Sequence, residues 1–313
     1  MSGRNIICLM GPTASGKTEI ATRLATRLPV EVISVDSALV YRGMDIGTAK
    51  PDRQVLERVP HRLIDIREPQ DSYSAGDFVR DATAAIEQIL SAGRLPLLVG
   101  GTMMYFRALT QGIAELPGAD NAIRAALDDE ALRSGWPALH AKLAQVDPAA
   151  ASRINRNDSQ RIQRALEVYR SSGRTLSHWL SAAPVTDDRY HFLKIALIAE
   201  SRKALHERIA QRLKSMFANG FVEEVRMLRA LPGLTSQSPA MRAVGYRQVW
   251  SHLDGDYDLG EAGRRALYAT RQLAKRQLTW LRSENELISV DPLEAGVFDA
   301  ILKIVGNCPD EPG

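Results

Sequence analysis

Cysteine is nearly absent from this 313-residue chain: Cys8 sits in an apolar run and Cys308 in a polar tail. Two such residues build neither a disulfide framework nor a cysteine-based metal site, and they fit a reducing cytosol. No apolar run approaches the roughly 20 residues that a membrane span requires. The opening MSGRNIICLMG runs straight into the first motif and leaves no room for a removable signal peptide, so a soluble, cytoplasmic protein is expected. Histidine is sparse too: His61, His140, His178, His191, His206 and His252 lie scattered without metal-ligand spacing and read as ordinary core or surface residues. Internal repeats and low-complexity tracts are missing, and only NCPDEPG at the end reads as frayed. Net charge is low as well, at +3, which by itself announces no nucleic-acid partner.

What is present is a substantial core, with 45% hydrophobic residues in a length that suits one large domain or two. The apolar run Ile6 to Met10 reads as a buried strand, GPTASGKT at Gly11 to Thr18 fits G-x-x-x-x-G-K-[ST], and TEIATRLATRL has helical spacing at Ile20, Leu24 and Leu28. Strand, glycine loop and helix are the context that gives this motif its meaning. The loop Gly11, Pro12, Thr13, Ala14, Ser15 and Gly16, through the backbone N–H groups of its residues other than proline, and the helix N-terminus would form a positive concavity for phosphate oxygens. Lys17 adds a movable charge and Thr18 a hydroxyl for Mg2+.

Further strands are expected at Val30–Ser37, His61–Ile66 and Leu95–Gly101, with a helix from about Ala75 to Ala92. This alternation implies an α/β fold, a doubly wound parallel sheet of the phosphate-loop NTPase kind with ligands at the carboxyl ends of its strands, where Gly11, Asp36 and Gly100 fall. Past Gln111 the pattern turns helical, at about Asn121–Arg133, Pro137–Gln145 and Asp158–Ser171, before a strand returns at Tyr190–Ala199 with helices from Arg202 onward. The expected organisation is a core of residues 1–111 plus 188–313 and an all-helical insertion at 112–187.

Two segments concentrate positive charge. Arg153, Arg156, Arg161, Arg164, Arg170 and Arg174 face only Asp158 and Glu167, and the stretch from Ala262 to Arg282 has six Lys and Arg and no acid. Either alone reads as a solvated helix face; together, in a phosphate-loop protein, they suggest an extended polyanion. In the second segment Arg264, Tyr268, Arg271 and Lys275 share one helical face, while Leu267, Ala274, Leu278 and Leu281 form an apolar one, and Trp280 reads as core.

A guanine-reading N-K-x-D is absent. The acidic strand end nearest the loop is Asp36, in DSALVYRGMDIGTAKP at Asp36 to Pro51. That segment and the loop, with HRLID at 61–65, LLVGGTMMYF at 97–106, RIQRALEVY at 161–169, VGYRQVW at 244–250 and TRQLAKRQLTWLR at 270–282, closely resemble the tRNA dimethylallyltransferases, also called tRNA isopentenyltransferases. The resemblance spans nearly the whole chain in order. It implies a monomer that transfers a dimethylallyl group from dimethylallyl diphosphate to the exocyclic amine of adenosine 37 in the anticodon stem-loop of tRNAs reading codons that begin with U.

On that reading the loop amides, Lys17 and magnesium at Thr18 stabilise the departing diphosphate. Arg212, in HERIAQR, resembles the family arginine that reaches the same group; otherwise it is a solvated helix arginine. An adenine amine is a weak nucleophile and needs a base, the role expected of Asp36, which would otherwise cap a turn or hold magnesium through water. Thr102 resembles the family threonine that contacts the target adenosine, and it also suits a helix N-cap; Thr13 would act from the other side. Because adenosine 37 is stacked, base flipping follows. The implied tRNA contacts are Gln160, Arg161, Ile162, Gln163 and Arg164; Met241, Arg242, Ala243, Val244, Gly245 and Tyr246; Ser37, Ala38 and Leu39 beside Asp36; and Arg124, Lys275 and Arg276. Leu39 stands where many relatives have Gln, and no Cys/His zinc-finger extension follows the core. The alternatives are an enzyme that prenylates free adenylate, a small-molecule kinase using ATP, and a non-catalytic RNA-binding module; the size of the acceptor separates them.

Overall fold

The computed structural model describes residues 4–114, 116–181 and 189–306. By compactness the chain divides into two units, residues 1–110 with 187–313, and residues 111–186.

The first unit is built on six parallel strands: β1 (Arg4–Met10), β2 (Val30–Val35), β3 (His61–Arg62), β4 (Leu95–Gly100), β5 (Tyr190–Leu197) and β6 (Leu287–Val290), in the spatial order β3-β2-β4-β1-β5-β6. Alternation of period two sends Ile6, Cys8 and Met10 to one face of β1 and Ile7 and Leu9 to the other, and both faces are buried. Helices α1 (Lys17–Ala25) and α14 (Val297–Gly306) cover the Ile7 face through Ile20, Leu24, Phe298 and Ile301, and the short α2 (Arg53–Arg58) leads into β3. The Cys8 face packs against α3 (Ala75–Ser91), α4 (Met103–Gln111), α10 (Arg202–Ala218), α11 (Phe221–Arg229), α12 (Tyr246–Leu253) and the 23-residue α13 (Leu259–Leu281). From β1 the chain crosses outward to β2, and after β4 it returns to the opposite side of β1 at β5, so the switch in strand order lies at β1. A crevice opens there at the carboxyl ends. At Gly100 a Cβ would stand 2.0 Å from the Val35 carbonyl oxygen, so only glycine lets the ends of β2 and β4 approach this closely.

One expected strand is much shorter than its apolar pattern. Pairing stops at Arg62, because Leu63 (φ 63°) and Asp65 (φ 55°) turn the chain into the left-handed region. There Asp65 N–H donates to Leu39 O at 3.2 Å and its carboxylate accepts from the buried Lys50 at 2.5 Å. A side-chain ion pair and backbone bonds to the 39–40 segment override the strand preference of Leu-Ile-Asp-Ile.

The second unit is helical, with α5 (Asn121–Ser134), α6 (Trp136–Val146), α7 (Pro148–Ala151), α8 (Ser159–Ser172) and α9 (Leu176–Ser181) around Leu127, Leu139, Leu143, Ile162 and Leu166. Asp120 and Asp158 cap α5 and α8 by accepting first-turn amides. No helix among the described residues is long and apolar enough to cross a membrane.

Candidate functional site

Strand β1 delivers the glycine loop to the crevice. The loop turns through Ala14 (φ 63°) and Gly16 (φ 92°), and α1 starts at Lys17, so the free amides of its first turn face the loop. Lys17 folds back over this loop, donating to Gly11 O at 2.9 Å and Pro12 O at 2.7 Å. Burial lowers the Lys17 pKa, and the Arg212 guanidinium lowers it further, to about 7, against the opposing pull of Asp36. Thr18 is exposed on the first turn, and its hydroxyl has no hydrogen-bond partner among the described residues.

Asp36 follows β2 directly and is half-buried. One carboxylate oxygen, Oδ1, accepts from Ala38 N–H at 2.8 Å and Leu39 N–H at 3.4 Å, which fixes the side chain; the other has no hydrogen bond among the described residues. Asp36 therefore does cap a turn, with one oxygen left over. Across from it Thr102 Oγ1 accepts the Ser37 N–H at 3.0 Å, and the Thr102 N–H donates to Val35 O at 3.2 Å. The hydroxyl thus ties the end of β4 to the loop after β2 rather than capping α4.

Arg212 projects from α10 and donates to Thr48 O at 2.8 Å; burial holds its pKa down while Asp36 opposes. Its half-buried place in the cavity wall replaces the solvated-face alternative. Together Thr13, Lys17, Thr18, Asp36, Thr102 and Arg212 line a cavity of about 510 Å³. Trp280, expected as core, is half-buried and also forms part of this wall, with Arg107 over its ring at 5.5 Å. A cavity with two enclosed cations, a ring of loop amides and one carboxylate can hold a polyanion and accept a proton beside it.

Two polar residues that sequence reasoning passed over shape this cavity. Gln277 on α13 is buried, accepts the Thr13 N–H at 2.9 Å and donates to Gly101 O at 2.8 Å. Glu224 on α11 is buried and accepts the consecutive N–H groups of Asp45, Ile46 and Gly47 at 2.9, 2.6 and 3.0 Å, with the Tyr246 hydroxyl at 2.5 Å. The available signal was position: Gln277 falls on the apolar face of α13 with Ala274 and Leu281, and Glu224 on that of α11 with Phe221, Val225 and Leu228. A polar side chain on an apolar stripe has to find internal partners.

The expected RNA contacts divide sharply. In the first unit Lys275, Arg276 and Arg242 are exposed, Ser37 is exposed, and Ala38, Leu39, Ala243 and Val244 line the cavity half-buried. Met241 and Tyr246 are fully buried, Met241 in the core and Tyr246 held by Glu224, so neither offers an exposed side chain; Gly245 (φ 95°) serves the turn into α12. Arg271, expected on the outer face of α13 with Arg264 and Tyr268, is instead partly enclosed, its Nε without a partner among the described residues. In the second unit Gln160 and Arg161 are exposed, whereas Ile162 is core. Gln163 donates to Asp128 at 2.7 Å, and Arg124 and Arg164 reach the buried Glu167 at 2.8 and 2.9 Å. Ile162 points inward with Ala165 and Leu166 on the core face of α8, and the two arginines are drawn to the buried Glu167, whose charge they neutralise.

A family model described as IPP transferase matches residues 39–284. A tRNA dimethylallyltransferase of Burkholderia cenocepacia is 54% identical, with 97% of each chain covered, and one of Cupriavidus necator is 55% identical, with 96% of this chain and 94% of that one covered. Among solved structures, the full-length tRNA isopentenylpyrophosphate transferase of Bacillus halodurans is 36% identical with a TM-score of 0.69, covering 97% of this chain and 96% of that one. A eukaryotic dimethylallyltransferase acting on tRNA shares the fold at a TM-score of 0.79 and 23% identity, covering 99% of this chain and 81% of that one.

Proposed function

The chain belongs to the IPP transferase family, and from that premise we propose that it transfers a dimethylallyl group from dimethylallyl diphosphate to the exocyclic amine of adenosine 37 in tRNAs reading codons that begin with U. The observation that carries this reading is the meeting of Lys17, Asp36 and Arg212 in one cavity with the glycine loop. The carbon–oxygen bond to the diphosphate breaks, the amine nitrogen bonds to the allylic carbon, and the amine proton passes to the free oxygen of Asp36. A positioned base of this kind contributes about 10²–10⁴ in rate.

Diphosphate takes the place of the Gly11 and Pro12 carbonyls as the partner of Lys17, and its charge restores the lysine to the cationic form. Arg212 approaches the same leaving group from α10. Thr18 offers a hard oxygen, and no cluster of three or more His, Cys, Asp or Glu among the described residues competes for a metal, which suits an ion that takes most of its ligands from substrate oxygens and water. Mg2+ held by Thr18 would supply further neutralisation of the leaving group. Thr102 and Thr13 steady the flipped base, whose unstacking costs a few kcal/mol and is offset by contacts elsewhere on the RNA. Arg242, Lys275 and Arg276 are exposed and without an ion pair among the described residues, which suits phosphate contacts; Arg242 and Arg276 also line the cavity. Gln160 and Arg161 provide the corresponding contact from the 111–186 unit. The family resemblance supports a monomer that works in the cytoplasm, and the loop, base and arginine of the site all come from one chain.

The test is transfer of label from dimethylallyl diphosphate, with magnesium, to an unmodified tRNA transcript with adenosine at position 37, run beside AMP as acceptor and beside ATP hydrolysis. Label in the tRNA alone is expected. Label in AMP alone, or ATP turnover without transfer, overturns the reading.

A further inference from the structure

Three segments far apart in sequence meet at one buried amide. Thr13 lies in the phosphate loop, Gly101 follows β4 immediately before Thr102, and Gln277 reaches both from α13. The two bonds have opposite sense: the Thr13 N–H needs an acceptor and the Gly101 carbonyl needs a donor, so the orientation of the Gln277 amide is fixed by its partners. A Cβ on Gly101 would lie 2.5 Å from Gln277 Nε2 and 3.3 Å from Gly11 O, so the backbone here is closed tightly around the amide. The linkage runs to a loop amide on one side and, on the other, to the residue preceding a hydroxyl that braces the Asp36 loop through Ser37.

We propose that Gln277 is a positioning residue that fixes the diphosphate-binding loop relative to the strand end carrying Thr102 and, through it, the Asp36 loop. This rests on the prenyl-transfer reading given above. It acts on the alignment of donor and acceptor and touches neither, and α13 also carries the exposed Lys275 and Arg276. Only a side chain with a neutral donor and acceptor on one planar group meets both demands. Methionine supplies neither. Glutamate keeps an acceptor for Thr13 but sets an anionic oxygen against the Gly101 carbonyl; protonation turns that oxygen into a donor and reproduces the glutamine pattern.

The experiment is single-turnover transfer of labelled dimethylallyl from its diphosphate to an unmodified tRNA transcript with enzyme in excess, for wild type, Gln277→Met and Gln277→Glu, each rate divided by the folded fraction from circular dichroism. Gln277→Met is expected to lose at least about tenfold in rate, with tRNA affinity unchanged, as loss of alignment requires. The Gln277→Glu rate, as a ratio to wild type, is expected to rise severalfold as the pH falls from about 8 to about 6, toward the protonated carboxyl. If Gln277→Met does not fold, the pH ratio decides alone. Wild-type transfer with a Gln277→Met rate within about twofold of it, or a flat Gln277→Glu ratio, overturns this inference alone. No transfer by the wild-type chain overturns the prenyl-transfer reading and this inference with it.

Discussion

The two compact units each bury charge, and they do so in opposite ways. In the 111–186 unit Glu167 is fully buried, and Arg124, Arg164 and the Asp120 amide all turn toward it. Burial alone would push its carboxyl up, but those hydrogen bonds outweigh it and hold the group below the usual carboxylate range. In the cavity Lys17 and Arg212 meet only carbonyl oxygens and a hydroxyl, and Lys17 sinks to about 7. Charge matched within the fold builds structure. Charge hydrogen-bonded only to neutral dipoles, two cations against the single carboxylate of Asp36, is poised for an anion from outside, as the proposed diphosphate chemistry requires.

Substitutions in the two clusters should therefore fail differently. Asp36→Ala is expected to cut turnover by about 10²–10⁴ with tRNA affinity nearly unchanged, measured by single-turnover transfer beside filter binding; near-normal turnover would remove Asp36 as the base. Lys17→Met should cost about 10²–10³ in kcat and leave the melting temperature unharmed, since no ion pair is lost with it. Changing Lys275 and Arg276 together to alanine should weaken tRNA binding and lower the slope of log affinity against log salt by about one to two. An unchanged slope would return that face of α13 to plain solvation. Glu167→Gln belongs to the other class, with an expected stability loss of about 1–3 kcal/mol in urea titration and no loss of kcat once the folded enzyme is saturated.

Acidity distinguishes the clusters again. The folded pKa of Glu167 is depressed, so its contribution is complete above the unfolded carboxylate value near 4.3 and is lost as pH falls below it. Lys17 acts in its cationic form, so KM for the donor should rise as pH climbs past about 7. A donor KM that is flat across neutrality would mean that Lys17 stays charged without its ligand.

Much of the site was legible because its parts are local patterns. The apolar runs at Ile6, Val30, Leu95 and Tyr190 each became a strand, and their carboxyl ends hold Gly11, Asp36 and Gly100 where a parallel sheet requires. His61–Ile66 failed because the bonds that bend it come from Leu39, Val40 and Lys50, outside any local window. Met241, Tyr246 and Ile162 belong to motif stretches, yet their side chains serve packing, because a motif aligns backbone positions and does not say which of them face outward. Gln277 and Glu224 were passed over for the same reason in reverse: as single polar letters within helices they carry no pattern until tertiary contacts supply their partners.

Gln277 also sets an order of events on the ribosome. The amide that grips Thr13 is synthesised 264 residues after it. Until α13 has been made the loop is present without its clasp, and a nascent chain stopped before α13 leaves the Thr13 N–H and the Gly101 carbonyl to water. The bond to Thr13 can therefore form only once α13 has been made.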